Sequence, residues 1–240
     1  MENYTAEEER KGAVRARRMM TWLMIFAIVM FFAGLTSAYV VSMSGGYWTR
    51  IKMPGAFLWS TAFVLAGSLT LNLALMAVRK GRGKQVLPFL LATFALGIAF
   101  TVSQFQGWDD LVDRGITFSP NKLHQLGGVY GVDYSITKDG AELVLADGQW
   151  YKPGDSALER PLNAEIEEQR DRTGPYLYAL TLLHLGHLFF GLLAVLVMMV
   201  KAARGFYTVG DNVGLWAGAT YWHFLGGLWI YLLLFIAYVH

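Results

Sequence analysis

Three histidines lie deep inside apolar stretches of the sequence, where their ring nitrogens could bind a metal ion or a haem iron. His184 and His187 stand three positions apart in LTLLHLGHLFFG, which places both on one face of a helix. His223 follows in the next apolar stretch, in YWHFLGGLW. If the two stretches form antiparallel helices joined by the short loop between them, His187 and His223 reach comparable depths. That spacing permits a haem or metal site.

A packing role competes with ligation. Buried imidazoles often hydrogen-bond between membrane helices, each bond contributing roughly 0.5–2 kcal/mol. A His-x-x-His pair without a nearby carboxylate is weak evidence for a metal site. We therefore expect the three histidines to make polar contacts between the fourth and fifth helices, with lipid headgroups or with a neighbouring subunit. We expect no catalytic, cofactor-binding or metal-binding residue in this chain.

Composition identifies the solvent around these histidines as lipid. Apolar residues make up 55% of the chain and charged residues 16%, which is too apolar for an ordinary soluble domain. The sequence contains no cysteine, which excludes disulfides, iron–sulfur clusters and thiolate copper centres. We expect membrane lipids and other membrane subunits as partners, and no nucleic acid.

Five apolar runs are each long enough to cross a bilayer. None carries Asp, Glu, Lys or Arg in its interior, which argues against a self-sufficient transporter. The predicted fold class is an all-α integral membrane protein, a bundle of five transmembrane helices with a structured loop insertion. The predicted spans are Met20–Met43, Gly55–Val78, Val86–Trp108, Pro175–Val200 and Val213–Val239.

The distribution of Lys and Arg predicts the orientation. The basic segments RKGAVRARR, RKGRGK and KAARG share one side, so the N-terminus is placed in the cytoplasm and the C-terminus outside. We expect a cytoplasmic tail over 1–19, three helices within 20–108, an extracytoplasmic insertion over 109–174 and two helices within 175–240. The insertion has Asp-Gly and Pro-Gly pairs between alternating residues, which predicts a β-hairpin, followed by the helical pattern LNAEIEEQRDR.

Four motifs follow one another along the spans. The first is VMFFAGLTSAYV, and the second is carried by Gly97, Phe100, Gln104, Trp108, Gly115 and Phe118. The third is carried by Thr181, His184, His187 and Gly191, and the fourth by Tyr221, Trp222, His223, Phe224 and Trp229. In order and spacing they resemble subunit III of the haem–copper terminal oxidases, the cytochrome c and quinol oxidases, in its five-helix form.

The resemblance implies a non-catalytic subunit of a proton-translocating oxidase in a bacterial plasma (inner) membrane, which serves aerobic respiration by reducing oxygen to water. Subunit III stabilises the catalytic subunit and its lipids, so bound phospholipid is expected here, with haem and copper in partner subunits I and II. Five histidines and no cysteine are too few for either catalytic subunit. The motif residues expected to act in polar contacts or packing are Gln104, Trp108, Thr181, His184, His187, Tyr221, Trp222, His223 and Trp229.

Two alternatives remain: a bis-histidine b-type cytochrome, or the anchor subunit of another respiratory complex. The chain also departs from the family pattern, with Ile28, Gly107 and Gly226 where the family carries carboxylates. Any role of those carboxylates is therefore in doubt. Apart from Gly115 and Phe118, the 109–174 insertion lies outside the family pattern. We favour a clamp that fastens the subunit into a larger respiratory assembly over an acidic docking surface for a basic cytochrome.

Overall fold

The computed structural model describes residues 6–44, 46–119, 122–123, 126–155 and 158–239. Within these residues, five helices are long and apolar enough to cross a membrane. They are α1 (Ala6–Met43), α2 (Ala56–Arg79), α3 (Val86–Asp113), α5 (Thr173–Ala203) and α6 (Val213–Tyr238), with the short α4 (Asn163–Glu168) before α5. The predicted five-helix fold class is confirmed.

The helix α1 begins well before the first predicted span. Its 38 residues correspond to a rise of about 57 Å, more than the roughly 30 Å of a hydrocarbon core. The additional turns contain Ala, Glu, Lys and Arg, which favour helix, and Lys11 forms a 2.8 Å ion pair with Glu7 one turn before it. Part of the segment expected as a tail over 1–19 is therefore helical.

Buried residues of α1 recur every three or four positions, which confines its packing to one stripe. The stripe consists of Thr21, Ile25, Ile28, Phe32, Thr36 and Tyr39. Most of the remaining surface of the helix is exposed and apolar. An apolar exposed surface is what a membrane-spanning helix presents to lipid or to another subunit.

In the described part of the chain, five short strands lie outside the long helices. The strand β1 (Tyr47–Ile51), between α1 and α2, pairs antiparallel with β2 (Tyr134–Lys138), which pairs with β3 (Ala141–Glu142). The strands β4 (Val144–Ala146) and β5 (Gln149–Tyr151) form a separate hairpin. The predicted hairpin structure is confirmed, whereas the pairing of β1 with the insertion was not predicted.

Both hairpins turn at an Asp-Gly pair whose two residues have positive φ. The φ angles are 53° at Asp139 and 81° at Gly140, and 49° at Asp147 and 77° at Gly148. Two consecutive residues with positive φ are characteristic of the type I′ turn, which matches the twist of the flanking strands. Asp and Gly tolerate this conformation better than other residues, so the local sequence determines where both strand pairs reverse.

A polar cluster attaches the helix α4 to the three-stranded sheet. The Lys138 ammonium donates hydrogen bonds to Glu165 and, at 3.0 Å, to the Tyr47 hydroxyl, and that hydroxyl donates to Glu165 at 2.7 Å. The hydrogen bond from Lys138 lowers the pKa of the Glu165 carboxyl below its usual value. The bonds to Glu165 and Tyr47 raise the pKa of Lys138.

The start of α5 is capped by a buried carboxylate. Asp171 accepts backbone N–H bonds from Thr173 and Gly174, each at 3.0 Å. These N–H groups have no partner within the helix, and the positive end of the helix dipole favours a negative charge. Asp171 therefore stabilises the point at which the insertion returns to the long helices.

The described chain divides into two compact units, and each long helix contributes residues to both. The first unit contains Met1–Phe32, Trp59–Val102 and His184–Ile230. The second contains Ala33–Leu58, Ser103–Leu183 and Tyr231–His240. In the second unit, the buried Tyr39 ring has its centroid 5.0–5.6 Å from those of Trp48, Tyr176 and Phe235.

Candidate functional site

Trp222 is a fully buried tryptophan of the first unit, and glycines from three helices surround it. A Cβ atom added at Gly97 on α3 would lie 2.7 Å from Trp222 Cη2, and one at Gly67 on α2 would lie 3.4 Å from Cζ2. A Cβ at Gly191 on α5 would lie 3.7 Å from Cε3. The indole therefore fills space that these glycines leave open.

A second cluster in the same unit joins Trp229 to His184. The Trp229 indole N–H donates a 3.0 Å hydrogen bond to the Thr61 hydroxyl on α2. Its ring centroid lies 5.2 Å from Phe100 and 5.5 Å from His184, and Phe100 and His184 are 5.9 Å apart. His184 is fully buried, and neither of its ring nitrogens has a hydrogen-bond partner among the described residues. The observed contacts of His184 are ring packing.

The next histidine, His187, contacts both α1 and α6. The Tyr221 hydroxyl donates a 3.0 Å hydrogen bond to the His187 backbone carbonyl, and the Phe32 ring lies 5.7 Å from the imidazole centroid. A carbonyl in the middle of a helix normally accepts only its intrahelical bond, so the Tyr221 hydroxyl provides an additional connection between helices. These contacts join α5 to α1 and α6.

Two motif residues meet in the second unit. The Trp108 indole N–H donates a 3.2 Å hydrogen bond to the Thr181 hydroxyl, which donates at 2.8 Å to the Leu177 carbonyl one turn back. Tyr178 packs beside Trp108 at 5.9 Å between ring centroids. Gln104 is fully buried, and its amide oxygen and nitrogen have no partner within the described part of the chain.

The partner of His223 lies on the second helix. His223 Nε2 is 3.1 Å from Asn72 Oδ1 on α2. We expected His223 to make polar contacts between the fourth and fifth membrane helices, with lipid headgroups or with a neighbouring subunit; the hydrogen bond observed here joins the fifth membrane helix to the second. Helices neighbouring in sequence need not pair most closely, because any two apolar surfaces can pack in a membrane.

The positions where the family pattern has carboxylates are buried here. A Cβ atom at Gly107 would lie 2.3 Å from Phe57 Cε1, so the Phe57 ring occupies the space of any side chain there. At Gly226 a Cβ would lie 3.4 Å from Val64 Cγ2, and Ile28 belongs to the buried stripe of α1. All three positions are therefore closely packed in this chain, with Phe57 beside Gly107 and with Val64 and Ser68 beside Gly226.

Of the nine motif residues expected to act in polar contacts or packing, Gln104, Trp108 and Thr181 belong to the second unit and the other six to the first. Within the described ranges, no group of three or more His, Asp or Glu side chains is placed to hold a metal ion. The observed contacts join neighbouring helices through rings and hydrogen bonds. The candidate site is therefore a set of helix-packing positions.

Several contacting residues were missed by sequence analysis. Asn72 had a visible signal, since it is an amide within an apolar run, but no motif contains it. Thr61 and Gly67 had no distinguishing signal, because hydroxyls and glycines are common in membrane helices. Thr61 and Gly67 contact the motif tryptophans only because α2 lies beside α6 in the folded chain.

Comparison with known proteins shows a distant similarity to an oxidase subunit. The chain is 23% identical over 218 residues to cytochrome c oxidase subunit 3 of Corynebacterium diphtheriae, covering 88% of this chain and 82% of that protein. No protein-family model matches the chain. The sequence is thus distantly similar to an oxidase subunit over most of its length, and its five long apolar helices are those of a multi-pass membrane protein.

Proposed function

We propose that the chain is subunit III of a proton-translocating haem–copper terminal oxidase. It packs against the catalytic subunit and stabilises that subunit and its bound phospholipid. Electrons from cytochrome c or a quinol reduce oxygen to water in partner subunits I and II, where the haems and copper reside. The chain itself contributes structure to the complex in a bacterial inner membrane, with its N-terminus on the cytoplasmic side.

One observation carries the proposal beyond distant sequence similarity. The tryptophans of the motifs lie at contacts between different helices: Trp108 on α3 with α5, Trp222 among α2, α3 and α5, and Trp229 on α6 with α2. The motif tryptophans therefore serve to pack the helices of this chain against one another. A structural subunit of a larger enzyme requires that property.

Co-purification tests the proposal directly. The chain is tagged, expressed in a strain that makes active oxidase, and extracted from the membrane in a mild detergent. We expect it to be isolated together with a large multi-histidine subunit and with haem absorption that belongs to the complex. Dissociation of the purified complex should leave this chain without stoichiometric haem.

Two results would contradict the proposal. Consistent recovery as an isolated monomer from that strain would exclude a stable oxidase subunit. Stoichiometric haem on the separated chain would favour a b-type cytochrome instead.

We further propose that the 109–174 segment fastens the subunit to neighbours in a larger respiratory assembly. Val144 and Leu145 are 47% and 40% exposed. Consecutive residues of a strand point to opposite faces. Apolar side chains are therefore exposed on both faces of β4. Such a hairpin offers contact area to a partner, whereas steering a charged partner needs only charge.

A further inference from the structure

A hydrogen-bonded polar pair lies on the surface of two membrane-spanning helices. Asn72 is exposed and His223 is half-buried, with His223 Nε2 3.1 Å from Asn72 Oδ1. Asn72 lies two turns before the end of α2 at Arg79, and His223 about three turns after the start of α6 at Val213. These positions are roughly 10 and 15 Å from the helix ends, well inside a hydrocarbon core of about 30 Å.

The pair retains unused hydrogen-bonding capacity. Asn72 Oδ1 can only accept, so His223 Nε2 carries the hydrogen and the neutral ring leaves Nδ1 as an acceptor. The Asn72 amide group keeps its N–H donors. No other atom of the described residues hydrogen-bonds to either side chain. Acyl chains offer no partner for these groups, so exposure to lipid alone is unfavourable.

The surroundings of the pair suit close approach by another helix. Gly227 lies one turn after His223, is exposed, and has no atom within 4 Å of where its Cβ would be. On α2, Leu69 and Met76 flank Asn72 and are 62% and 44% exposed. Small residues that admit a neighbouring backbone, combined with polar side chains that bond across helices, characterise contacts between membrane helices.

We propose that Leu69, Asn72, Met76, His223 and Gly227 form a docking surface for a membrane-spanning helix of a different polypeptide. The contacting helix carries a side chain that both donates and accepts a hydrogen bond, such as Asn, Gln, Ser or Thr. Its acceptor receives the Asn72 amide N–H, and its donor bonds to His223 Nδ1. We call these five residues the α2–α6 polar surface. The inference adds a contact site to the proposed function, although it holds for any such partner.

The absence of cysteine allows a sharp test, because a single introduced thiol is a unique label. The variant Gly227→Cys is labelled in native membranes with a maleimide–benzophenone, irradiated, and its adducts are identified by mass spectrometry. We expect an adduct with one other membrane polypeptide. Adding Asn72→Leu or His223→Leu should lower its yield by about threefold to twentyfold, the range expected for loss of one interhelical hydrogen bond.

Matched substitutions separate polarity from shape. Leu91→Met changes an exposed apolar side chain on α3, outside the α2–α6 polar surface, and should leave the adduct yield unchanged. His223→Gln keeps a hydrogen-bonding side chain and should recover more adduct than His223→Leu. Recovery also shows that the loss with leucine does not arise from misfolding.

Three outcomes would overturn the inference: adducts with lipid only, an adduct with a second copy of this chain, or a yield that Asn72→Leu and His223→Leu leave unchanged. The outcome is independent of the proposed function. A polypeptide partner outside any oxidase contradicts the proposed function and supports the docking surface. Co-purification with an oxidase, combined with labelling of lipid only, supports the proposed function and contradicts the docking surface.

Discussion

At the scale of single residues, glycine determines how closely the helices of the first unit approach. A Cβ atom at Gly97 would lie 2.6 Å from Leu192 Cδ2 and 2.7 Å from Trp222 Cη2, distances that real Cβ atoms do not adopt. Leu192 can rotate away, but the Trp222 indole is buried and held from several sides. Gly97 is therefore required by packing, and its helix tolerates the lower propensity of glycine.

We predict that Gly97→Ala destabilises the protein. Overpacking against Trp222 costs about 1–3 kcal/mol, which exceeds the gain of up to about 1 kcal/mol from higher helix propensity. The matched control is Gly186→Ala on α5, where no atom lies within 4 Å of the new Cβ. Thermal unfolding in detergent, followed by circular dichroism, should show a lower midpoint for Gly97→Ala only. Equal midpoints for both variants would show that Trp222 adapts freely.

At the scale of elements, the insertion is held together by segments far apart in the chain. The strand β1 pairs with β2 over five residue pairs, from Tyr47 with Lys138 to Ile51 with Tyr134. The polar cluster of Tyr47, Lys138 and Glu165 then joins this sheet to α4. Lys138 belongs to both connections, so it should couple the sheet to the helix.

We predict that Lys138→Met loosens α4 while leaving the long helices intact. Amide hydrogen exchange at Asn163–Glu168 should become faster, whereas α3 should keep its protection. Lys122→Met is the control, because Lys122 is also an exposed lysine of the insertion and does not contribute to the electrostatics of Glu165. Unchanged exchange at α4 in Lys138→Met would show that apolar contacts, such as those of the buried Ile166, are sufficient.

The effect of Lys138→Met on amide exchange in α4 should depend on pH. In the folded chain, the pKa of the Glu165 carboxyl is lower than its ordinary value near 4.5. The stabilisation that the Glu165 carboxylate provides is therefore complete above that ordinary value, and it is lost as the pH falls through the lowered pKa. The raised pKa of Lys138 keeps the ammonium charged throughout this range. After correction for intrinsic exchange rates, the α4 amides of Lys138→Met and of the native chain should therefore exchange at more similar rates at acidic pH. A difference that persisted with Glu165 protonated would assign the effect to packing.

At the scale of the whole molecule, exposed apolar surface indicates where other chains could bind. The proposed role of the insertion in assembly should be tested by small substitutions. Deletion of residues 136–153 would also disturb the fold, because Ile136 is buried and pairs with Thr49. The hairpin β4–β5 offers a milder alternative. Val144 and Leu145 are exposed there, and their removal leaves the buried Trp150 and Tyr151 in place.

We predict that the double variant Val144→Ser, Leu145→Ser weakens association with a larger respiratory assembly. Native gel electrophoresis of detergent extracts should show more of the smaller complex, while the salt dependence of electron delivery stays unchanged. Phe206→Ser, an exposed apolar position in the loop between α5 and α6, serves as control. A flattened salt dependence with intact assembly would instead support a docking role for the insertion.

Much of the fold could be predicted from local sequence. The five helices follow from apolar runs long enough for a hydrocarbon core, within which a helix satisfies its own backbone hydrogen bonds. Both hairpin turns follow from Asp-Gly pairs that accept positive φ. The motifs also singled out tryptophans and histidines, but the sequence did not specify which helices these side chains would contact.

Only the tertiary structure decided which of these elements meet. His223 bonds to Asn72 on α2, β1 pairs with β2 more than eighty residues away, and Gly97 admits the indole of Trp222. Helix partners are hard to predict because membrane helices are apolar on every side, so periodicity does not distinguish a protein contact from a lipid contact. The choice depends on small residues and isolated polar side chains, whose significance appears only when the helices lie beside one another.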